Sequence, residues 1–197
     1  MIQNLDQKIV RALRAEPASA RTLAAGLGVS YGTLWRRVRD LRRRKVLRVS
    51  GSGRAARLDI DRAPFRLPPA KARAVAAQLA CKPLATAVLR DWLLGDILMV
   101  AFMDRKAAAL TLETGKATFF SRSRNQLWVK GETSGHFQVV KRARVDCDND
   151  CLLLDVEPLG PACHTMEESC FFREIGRGGA FRRISAPRPA RVSKRRS

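Results

Sequence analysis

The sequence predicts an α+β protein made of an α-rich N-terminal module and a small, mainly-β core. Apolar residues recur at helical spacing near the N-terminus, short apolar stretches typical of strands follow from residue 84, and a proline-containing segment separates the two patterns. A chain of 197 residues is long enough for two small domains. We predict a module at residues 1–61, a linker and helix at 62–83, a core at 84–176 and a basic, disordered tail at 177–197.

The N-terminal module is predicted to contain three helices and a hairpin. The first helix is indicated by apolar residues at helical spacing, namely Leu5, Ile9, Val10 and Leu13. Ser19 and Ser30 stand where the N-caps of a second and a third helix belong, and Gly28 supplies the sharp turn between those helices. Residues 47–49 and 55–60 then predict two strands joined by a glycine-rich tip. This order of elements resembles a winged helix-turn-helix of the Lrp type.

The third helix combines an apolar face with many arginines, a pattern that is typical of a recognition helix in a major groove. The residues predicted to contact DNA are Arg36, Arg37, Arg39 and Arg43, with Arg54 in the wing. An arginine-rich helix can also be a solvated face, and helix-turn-helix modules also serve protein interactions. The motif and the charge together favour DNA.

The positive charge is concentrated at the two ends of the chain. Residues 1–62 contain fifteen Lys and Arg against five Asp and Glu, and residues 171–197 contain nine against one. Residues 63–170 are nearly balanced, with fourteen against twelve. Nucleic acid is the polyanion that these basic ends favour, although a general electrostatic patch would have the same composition.

The core is predicted to consist of strands with few helices. Its predicted strands are residues 84–90, 96–102, 117–121, 139–146 and 152–157, and its predicted helix is 105–114. An alanine-rich stretch at residues 71–80 predicts a further helix that leads into the core.

In the run Asp-Cys-Asp-Asn-Asp at residues 146–150, every second residue is an aspartate. If residues 145–155 formed one strand, Asp146, Asp148 and Asp150 would project from one face and Cys147 from the other. The carboxylates would suit a hard cation such as magnesium. The alternative is a solvated turn, in which Asp and Asn are common.

Two further cysteines, Cys163 and Cys170, follow this run. With Cys147 they would give zinc three ligands and an open fourth position, which is the catalytic pattern. However, a spacing of six residues is not typical of zinc fingers, and small buried cysteines are common. Spacing alone leaves both interpretations open.

The surrounding segments carry a family resemblance. They are LMVAFM at 98–103, TLETG at 111–115, FSRSR at 120–124, LWVKGETSGH at 127–136 and ACHT at 162–165. Together, in unbroken order over residues 84–173, they resemble phosphoribosyl-AMP cyclohydrolase, an enzyme of histidine biosynthesis. The resemblance implies that Asp146, Asp148 and Asp150 bind magnesium. It also implies that Cys163 and Cys170 bind zinc together with Cys147 of a partner subunit, across the interface of a homodimer formed through the core.

The resemblance also implies a reaction. Zinc-bound hydroxide would attack C6 of the adenine in phosphoribosyl-AMP and open the N1–C6 bond. The chain has two histidines, His136 and His164, and both are candidates for proton transfer. We favour His136, because His164 adjoins a predicted zinc ligand and could instead orient the site.

The two phosphate-bearing arms of this substrate would require cationic and hydroxyl groups. The predicted substrate-binding residues are Ser121, Arg122, Ser123, Arg124, Trp128, Lys130, Gly131, Thr133 and Ser134. For an arbitrary protein, the Ser-Arg-Ser-Arg run would more often be an exposed strand face.

The chain departs from the family pattern in three places. An apolar turn at residues 92–95 would suit a contact surface. Met166, Glu167 and Glu168 stand where the family commonly has glycine and more basic residues, and the N-terminal module has no counterpart in the minimal enzyme. An alternative function is therefore a DNA-binding transcription regulator that uses an enzyme-derived domain to sense a nucleotide.

No apolar run of membrane length and no signal-peptide pattern is present, and five cysteines suit a reducing compartment. We expect a cytoplasmic protein with no membrane partner.

Overall fold

A computed structural model describes residues 5–43, 46–53, 56–60 and 63–184. The chain divides into two compact units, Met1–Ala63 and Pro64–Ser197. Both units combine helices with antiparallel strand pairs, so the predicted α+β class is confirmed at this level.

The first unit contains three helices and a small sheet. Its elements are α1 (Leu5–Ala15), β1 (Ala18–Ser19), α2 (Ala20–Gly26), α3 (Tyr31–Arg43), β2 (Leu47–Ser50) and β3 (Arg57–Ile60). The sheet has the order β1-β3-β2, with both pairs antiparallel. The two-residue strand β1 was not predicted, because a segment this short has no periodicity that a sequence pattern can reveal.

Local chemistry explains where these helices begin. The Ser19 hydroxyl accepts a hydrogen bond from the Thr22 N–H at 3.0 Å, and the Ser30 hydroxyl accepts one from the Thr33 N–H at 3.1 Å. Gly28, between α2 and α3, has φ +64°, a conformation that glycine adopts without steric cost. The core of this unit is formed by Ile9, Val10, Leu13, Leu34, Val38, Leu41, Leu58 and Ile60.

The second unit is richer in strands. Its elements are α4 (Pro69–Ala77), β4 (Ala85–Asp91), β5 (Ile97–Met103), α5 (Arg105–Thr114), β6 (Thr118–Ser121), β7 (Gln126–Val129), β8 (Gln138–Val145), β9 (Cys151–Pro158), β10 (Arg173–Ile175) and β11 (Phe181–Arg183). Helix α5 has its predicted bounds, and each predicted strand begins and ends within one residue of the observed one. Helix α5 starts where the Asp104 carboxylate caps the Ala107 N–H, and it ends at Gly115, which has φ +71°.

Four strands form the central sheet, in the order β5-β4-β9-β8. Strand β4 is antiparallel to β5 but parallel to β9, with Thr86 opposite Cys151 and Asp91 opposite Val156. Because strand side chains alternate, one face of the sheet buries apolar residues. This face and the elements against it contribute Ala85, Ala87, Leu89, Leu152, Leu154, Val156, Ala107, Ala108 and Phe119 to the core.

The opposite face of this sheet also carries apolar side chains. Val88 lies opposite Val100 on one neighbouring strand and opposite Leu153 on the other. Val88 and Leu153 are half-buried, and Val100 is 43% exposed. Three aliphatic side chains in one row therefore remain accessible to solvent within this unit.

The expectation of one strand over residues 145–155 is wrong. Strand β8 ends at Val145, β9 begins at Cys151, and the residues between them form a turn. Asn149 has φ +65°, and the Asp146 carboxylate accepts a hydrogen bond from the Cys151 N–H at 3.0 Å. Asp and Asn side chains bond to nearby backbone and favour turns over sheet ladders, so the alternation of faces does not extend through this segment.

Part of the predicted disordered tail is ordered. Residues 177–184 belong to an antiparallel hairpin in which Arg173 lies opposite Arg183 and Ile175 opposite Phe181. This hairpin was not predicted, because the high charge of the C-terminus indicated disorder. The rest of the predicted tail, residues 185–197, lies outside the described residues, as does Arg54. None of the helices in the described part is long and apolar enough to cross a membrane.

Candidate metal and substrate site

Three carboxylates meet in the turn between β8 and β9. Asp146, Asp148 and Asp150 each place one oxygen within 4.8 Å of the other two. The pKa of Asp150 is raised, first by the charge of Asp148, then by burial and by Asp146. Exposed carboxylates that repel one another in this way are a donor set that fits magnesium, which accepts oxygen ligands and keeps several waters.

The backbone of this turn is attached to the unit on both sides. The Asn149 carbonyl accepts a hydrogen bond from the Ala80 N–H at 2.7 Å, and the Asp150 carbonyl accepts one from the Thr86 N–H at 2.9 Å. The three carboxylates therefore project from a turn that the helix–strand connection and β4 hold in place.

Two thiols meet in the loop after β9. Cys163 is buried, its sulfur is 3.0 Å from the Thr165 hydroxyl oxygen, and it shares a hydrogen bond with Cys170. Burial opposes ionisation of Cys163, but hydrogen bonds from Thr165, Cys170 and the His164 backbone outweigh it and lower its pKa. The pKa of Cys170 is raised to about 11, first by burial of its sulfur and then by the charge and hydrogen bond of Cys163. Two adjacent sulfurs, one of them with a lowered pKa, fit a soft metal such as zinc.

Backbone hydrogen bonds set the shape of this thiol loop, residues 162–171. The Cys163 N–H donates to the Glu167 carbonyl at 3.1 Å, and the Met166 N–H donates back to the Cys163 carbonyl at 3.2 Å. At the other end, the Cys170 N–H donates to the Leu98 carbonyl at 2.8 Å. Both cysteines are therefore held by backbone contacts, one within the loop and one to the edge strand β5.

Lys130 faces the thiol pair. Burial lowers the pKa of its ammonium group, while the charges of Cys170 and Cys163 act in the opposite direction. The structure thus brings together a predicted substrate residue and two predicted zinc ligands. A lysine here favours the thiolate forms of both cysteines and attracts anions to this part of the site.

Cys147 lies apart from the other two cysteines. It is exposed, in the same turn as the three aspartates. Among the described residues, the only group of three or more potential ligands gathered within 4.8 Å is the aspartate trio. One chain therefore brings together two of the three predicted zinc ligands.

The two histidines have different environments. His136 is half-buried, and its ring lies against Gly160: a Cβ at position 160 would be 2.4 Å from the ring Cδ2. His164 is exposed, with Nδ1 4.0 Å from the Cys163 sulfur. His136 is thus oriented by packing, whereas His164 is oriented by its neighbour in sequence.

The other predicted substrate residues lie on the β6–β7 hairpin and in the loop after it. The Ser121 hydroxyl accepts hydrogen bonds from the Arg124 N–H and Nε at 3.3 and 3.4 Å, and the Arg122 guanidinium stacks on the Phe102 ring at 4.0 Å. Trp128 packs on buried Phe119, with ring centroids 4.9 Å apart. Ser123, Thr133 and Ser134 are exposed.

Gly131 has φ +92° and sits against the backbone of the histidine segment. A Cβ at this position would lie 2.3 Å from the Phe137 nitrogen and 2.4 Å from the His136 carbonyl carbon. The contact that the structure gives Gly131 is therefore with its own loop, which carries His136.

Sequence reasoning missed two features near the site. Asp155, with a side chain 5% exposed, binds the guanidinium groups of Arg90 and Arg144 across three neighbouring strands. A carboxylate within the apolar run Leu-Leu-Leu-Asp-Val was a signal that could have revealed this pair of ion pairs. Gly160, which accommodates His136, has no such signal, because a single glycine in a loop is common.

Comparisons with known proteins agree on one family. A family model described as phosphoribosyl-AMP cyclohydrolase matches residues 99–172. A protein of that name from Rhizorhabdus wittichii is 57% identical over 96 residues, which cover 49% of this chain and 77% of that protein. One from Dinoroseobacter shibae is 51% identical over 104 residues, covering 53% of this chain and 87% of the relative.

A third relative of the same name, from Cereibacter sphaeroides, is 53% identical over 95 residues, covering 48% of this chain and 80% of its own length. The residues matched by the family model include the aspartate trio, the thiol pair, Lys130 and both histidines. On this identity and coverage, the chain belongs to the phosphoribosyl-AMP cyclohydrolase family.

Proposed function

We propose that this protein hydrolyses phosphoribosyl-AMP in histidine biosynthesis and opens the N1–C6 bond of its adenine ring. The observation that carries this proposal is the meeting of Cys163 and Cys170 beside Lys130, inside the residues that match the family. The relatives are named as enzymes. A regulator that only senses the nucleotide is therefore not favoured.

The thiol pair would hold zinc and the aspartate trio would hold magnesium. Zinc, when bound, makes hydroxide available at neutral pH, which is the nucleophile that a ring-opening hydrolysis needs. Magnesium with exposed oxygen ligands suits a substrate that carries phosphates. The sulfur and oxygen donors stand in separate clusters, so each cluster has donors of one type only.

A second copy of the chain would complete the zinc site by supplying Cys147. Two observations support a homodimer. Within one chain Cys147 is exposed and stands apart from the thiol pair, and the outer face of the central sheet carries the accessible row Val88, Val100 and Leu153. Accessible apolar side chains on a sheet face are typical of surfaces that pack against a partner.

His136 is the residue that we assign to proton transfer at the substrate. Imidazole is the side chain that most often acts as a general acid or base, and packing against Gly160 restricts the orientations of this one. His164 adjoins Cys163 and would orient the thiol loop. Lys130, Arg122 and Arg124 would attract the phosphates of the substrate.

The test is turnover of phosphoribosyl-AMP by the full-length protein loaded with zinc and magnesium, followed as ring opening. Cys163→Ala should abolish zinc-dependent turnover, whereas Cys81→Ala, which changes a half-buried thiol outside the loop, should retain it. Wild-type protein that binds zinc, forms a dimer and shows no turnover would refute the proposed activity.

The N-terminal unit carries a second candidate function. We infer that it is a winged helix-turn-helix that binds duplex DNA. The supporting observation is the basic surface of α3, where Arg36, Arg39, Arg42 and Arg43 line one open groove with Asp40. Leu34, Val38 and Leu41 are buried on the opposite face, so the arginines are directed outward.

The arginines of α3 are not equivalent. Arg37 donates two hydrogen bonds to the Asp6 carboxylate, at 2.7 and 2.6 Å, and thereby joins α3 to α1. Arg43 pairs with Asp40 on the same helix. Arg36 and Arg39 are exposed, and they are the better candidates for phosphate or base contacts.

Fluorescence anisotropy with a labelled DNA duplex at several salt concentrations tests this inference. Arg36→Gln combined with Arg39→Gln should weaken binding and reduce the slope of log affinity against log salt by about two. The control is the double variant Arg37→Gln, Arg73→Gln, which removes the same amount of charge. Arg37 is paired with Asp6, and Arg73 is an exposed residue of α4. Equal losses from both pairs would mean that net charge alone attracts DNA.

A further inference from the structure

Glu167 is a buried carboxylate between the two cysteines of the thiol loop. Its side chain is 2% exposed, although both sequence neighbours, Met166 and Glu168, are exposed. A buried carboxylate is stable only when a cation or several hydrogen bonds compensate the loss of water. The fold therefore has to supply a cation or hydrogen bonds to this position.

Arg183 of strand β11 supplies a cation, through an ion pair with Glu167. The position of Arg183 is set by the C-terminal hairpin. Its guanidinium also lies over the Phe172 ring, 5.3 Å from the centroid, and the Ile184 N–H donates to the Phe172 carbonyl at 2.9 Å. The strand that carries Arg183 is thus attached to the chain two residues after Cys170.

Glu167 is paired through its side chain with Arg183, and its backbone carbonyl holds Cys163. The Glu167 carbonyl accepts the hydrogen bond of the Cys163 N–H, and the adjacent Glu168 carbonyl accepts that of Ala162 at 3.3 Å. A shift of Glu167 would therefore move the backbone that sets the position of the Cys163 sulfur.

We propose that Arg183 is a positioning residue for the thiol pair and acts through Glu167. The inference rests on the proposed function, in which Cys163 and Cys170 hold zinc. Arg183 lies in the C-terminal hairpin, beyond residues 99–172 that match the family. An acidic residue at position 167 thus serves as the attachment point of this hairpin, and Arg183 neutralises its charge.

The first test compares Arg183→Gln with Arg182→Gln in the full-length protein. Arg182 is the adjacent residue, and it pairs with Glu174 on an exposed part of the hairpin, so it is a matched control. Zinc affinity is measured by competition with a chromophoric chelator, and thiol accessibility is measured as the rate of modification of metal-free protein by a disulfide reagent. Arg183→Gln should weaken zinc binding about 10-fold to 100-fold and speed thiol modification. Arg182→Gln should match wild type in both measurements.

A second set of variants tests the route through Glu167. Arg183→Gln removes a cation from a buried carboxylate, whereas the double variant Glu167→Gln, Arg183→Gln also removes the negative charge of that carboxylate. The double variant should therefore bind zinc more tightly than Arg183→Gln alone, and Arg183→Lys should remain close to wild type. If Arg183→Gln does not fold, the double variant is compared with Arg182→Gln: weaker zinc binding and faster thiol modification in the double variant would support the proposal, and equal values would overturn it.

The proposal is overturned if Arg183→Gln has the zinc affinity and thiol reactivity of Arg182→Gln, or if the double variant recovers nothing. Failure of the proposed function is a separate result. Wild-type protein that neither binds zinc nor turns over phosphoribosyl-AMP would refute that function, while the thiol-modification rates of the metal-free variants would still decide whether Arg183 positions the loop.

Discussion

The imidazole of His136 lies directly against Gly160, in a space that no larger residue could share. A Cβ at position 160 would stand 2.4 Å from the ring Cδ2 and 2.7 Å from Cγ. The Gly160 carbonyl also accepts a hydrogen bond from the buried Gln138 amide at 3.2 Å. The loop after β9 therefore restricts the position of the proposed proton-transfer residue.

Gly160→Ala should reduce kcat by about 100-fold with little loss of stability, because a displaced catalytic ring loses reaction geometry before the core loses packing. The measurement is steady-state turnover of phosphoribosyl-AMP together with thermal unfolding. Gly178→Ala is the control, since a Cβ at position 178 meets nothing within 4 Å. Unchanged kcat in Gly160→Ala would show that the ring can move without consequence.

Met166→Gly should stabilise the protein by about 1 kcal/mol, because Met166 has φ +66°, a left-handed conformation that costs most L-residues free energy. Its side chain is 44% exposed, so little buried area is lost. Urea unfolding of a Trp35→Phe background, followed by the fluorescence of Trp92 and Trp128, measures the effect in the second unit. Asn149→Gly, at φ +65°, should gain less, because asparagine tolerates this conformation.

Asp148→Asn should raise the melting temperature of metal-free protein at neutral pH, because it removes the main cause of the raised pKa of Asp150. A carboxyl whose pKa is raised in the folded state stabilises that state below its ordinary pKa, and this contribution is lost as the pH rises through the raised value. The gain should therefore vanish in acid. Magnesium should raise the melting temperature of wild type but not of the variant. A variant that melts below metal-free wild type at neutral pH would contradict this account.

Asp155→Asn should destabilise the second unit by about 2 kcal/mol, because it removes charged hydrogen bonds from a buried position. The Asp155 carboxylate accepts from Arg90 Nε at 2.8 Å and from Arg144 at 3.0 Å, and so joins β4, β9 and β8. The measurement is urea unfolding in the same Trp35→Phe background. Asp96→Asn, at an exposed carboxylate, should have little effect, and equal midpoints for the two variants would contradict the prediction.

Five strands of the core, β4, β5, β6, β8 and β9, were predicted from the sequence, whereas β7 and β10 were not. In β4, alternate residues from Ala85 to Asp91 are buried, and in α5 the buried residues recur at helical spacing. The N-terminal helices were predictable for a similar reason, since Ser19 and Ser30 cap them as the sequence indicates. Elements of this kind depend mainly on their own residues.

The features that could not be predicted depend on residues distant in sequence. Within one chain, Cys147 does not join Cys163 and Cys170 in one cluster of potential ligands among the described residues, and the contact of Glu167 with Arg183 spans sixteen positions. The turn at residues 146–150 was mistaken for a strand because its alternating acidic residues imitate a strand pattern. The segment forms a turn and not a strand because Asn149 adopts a left-handed backbone conformation, and no periodicity in the sequence indicates that conformation.

The parallel pairing of β4 with β9 determines when the central sheet can form during synthesis of the chain. Thr86 pairs with Cys151, which is sixty-five residues later in the chain, so β4 and β9 cannot pair until β9 has been synthesised. The first compact unit, Met1–Ala63, leaves the ribosome well before β9 is made. During synthesis, the edge of β4 that later pairs with β9 is therefore unpaired in the hairpin of β4 and β5, and at this stage the chain is most open to aggregation or to chaperone binding.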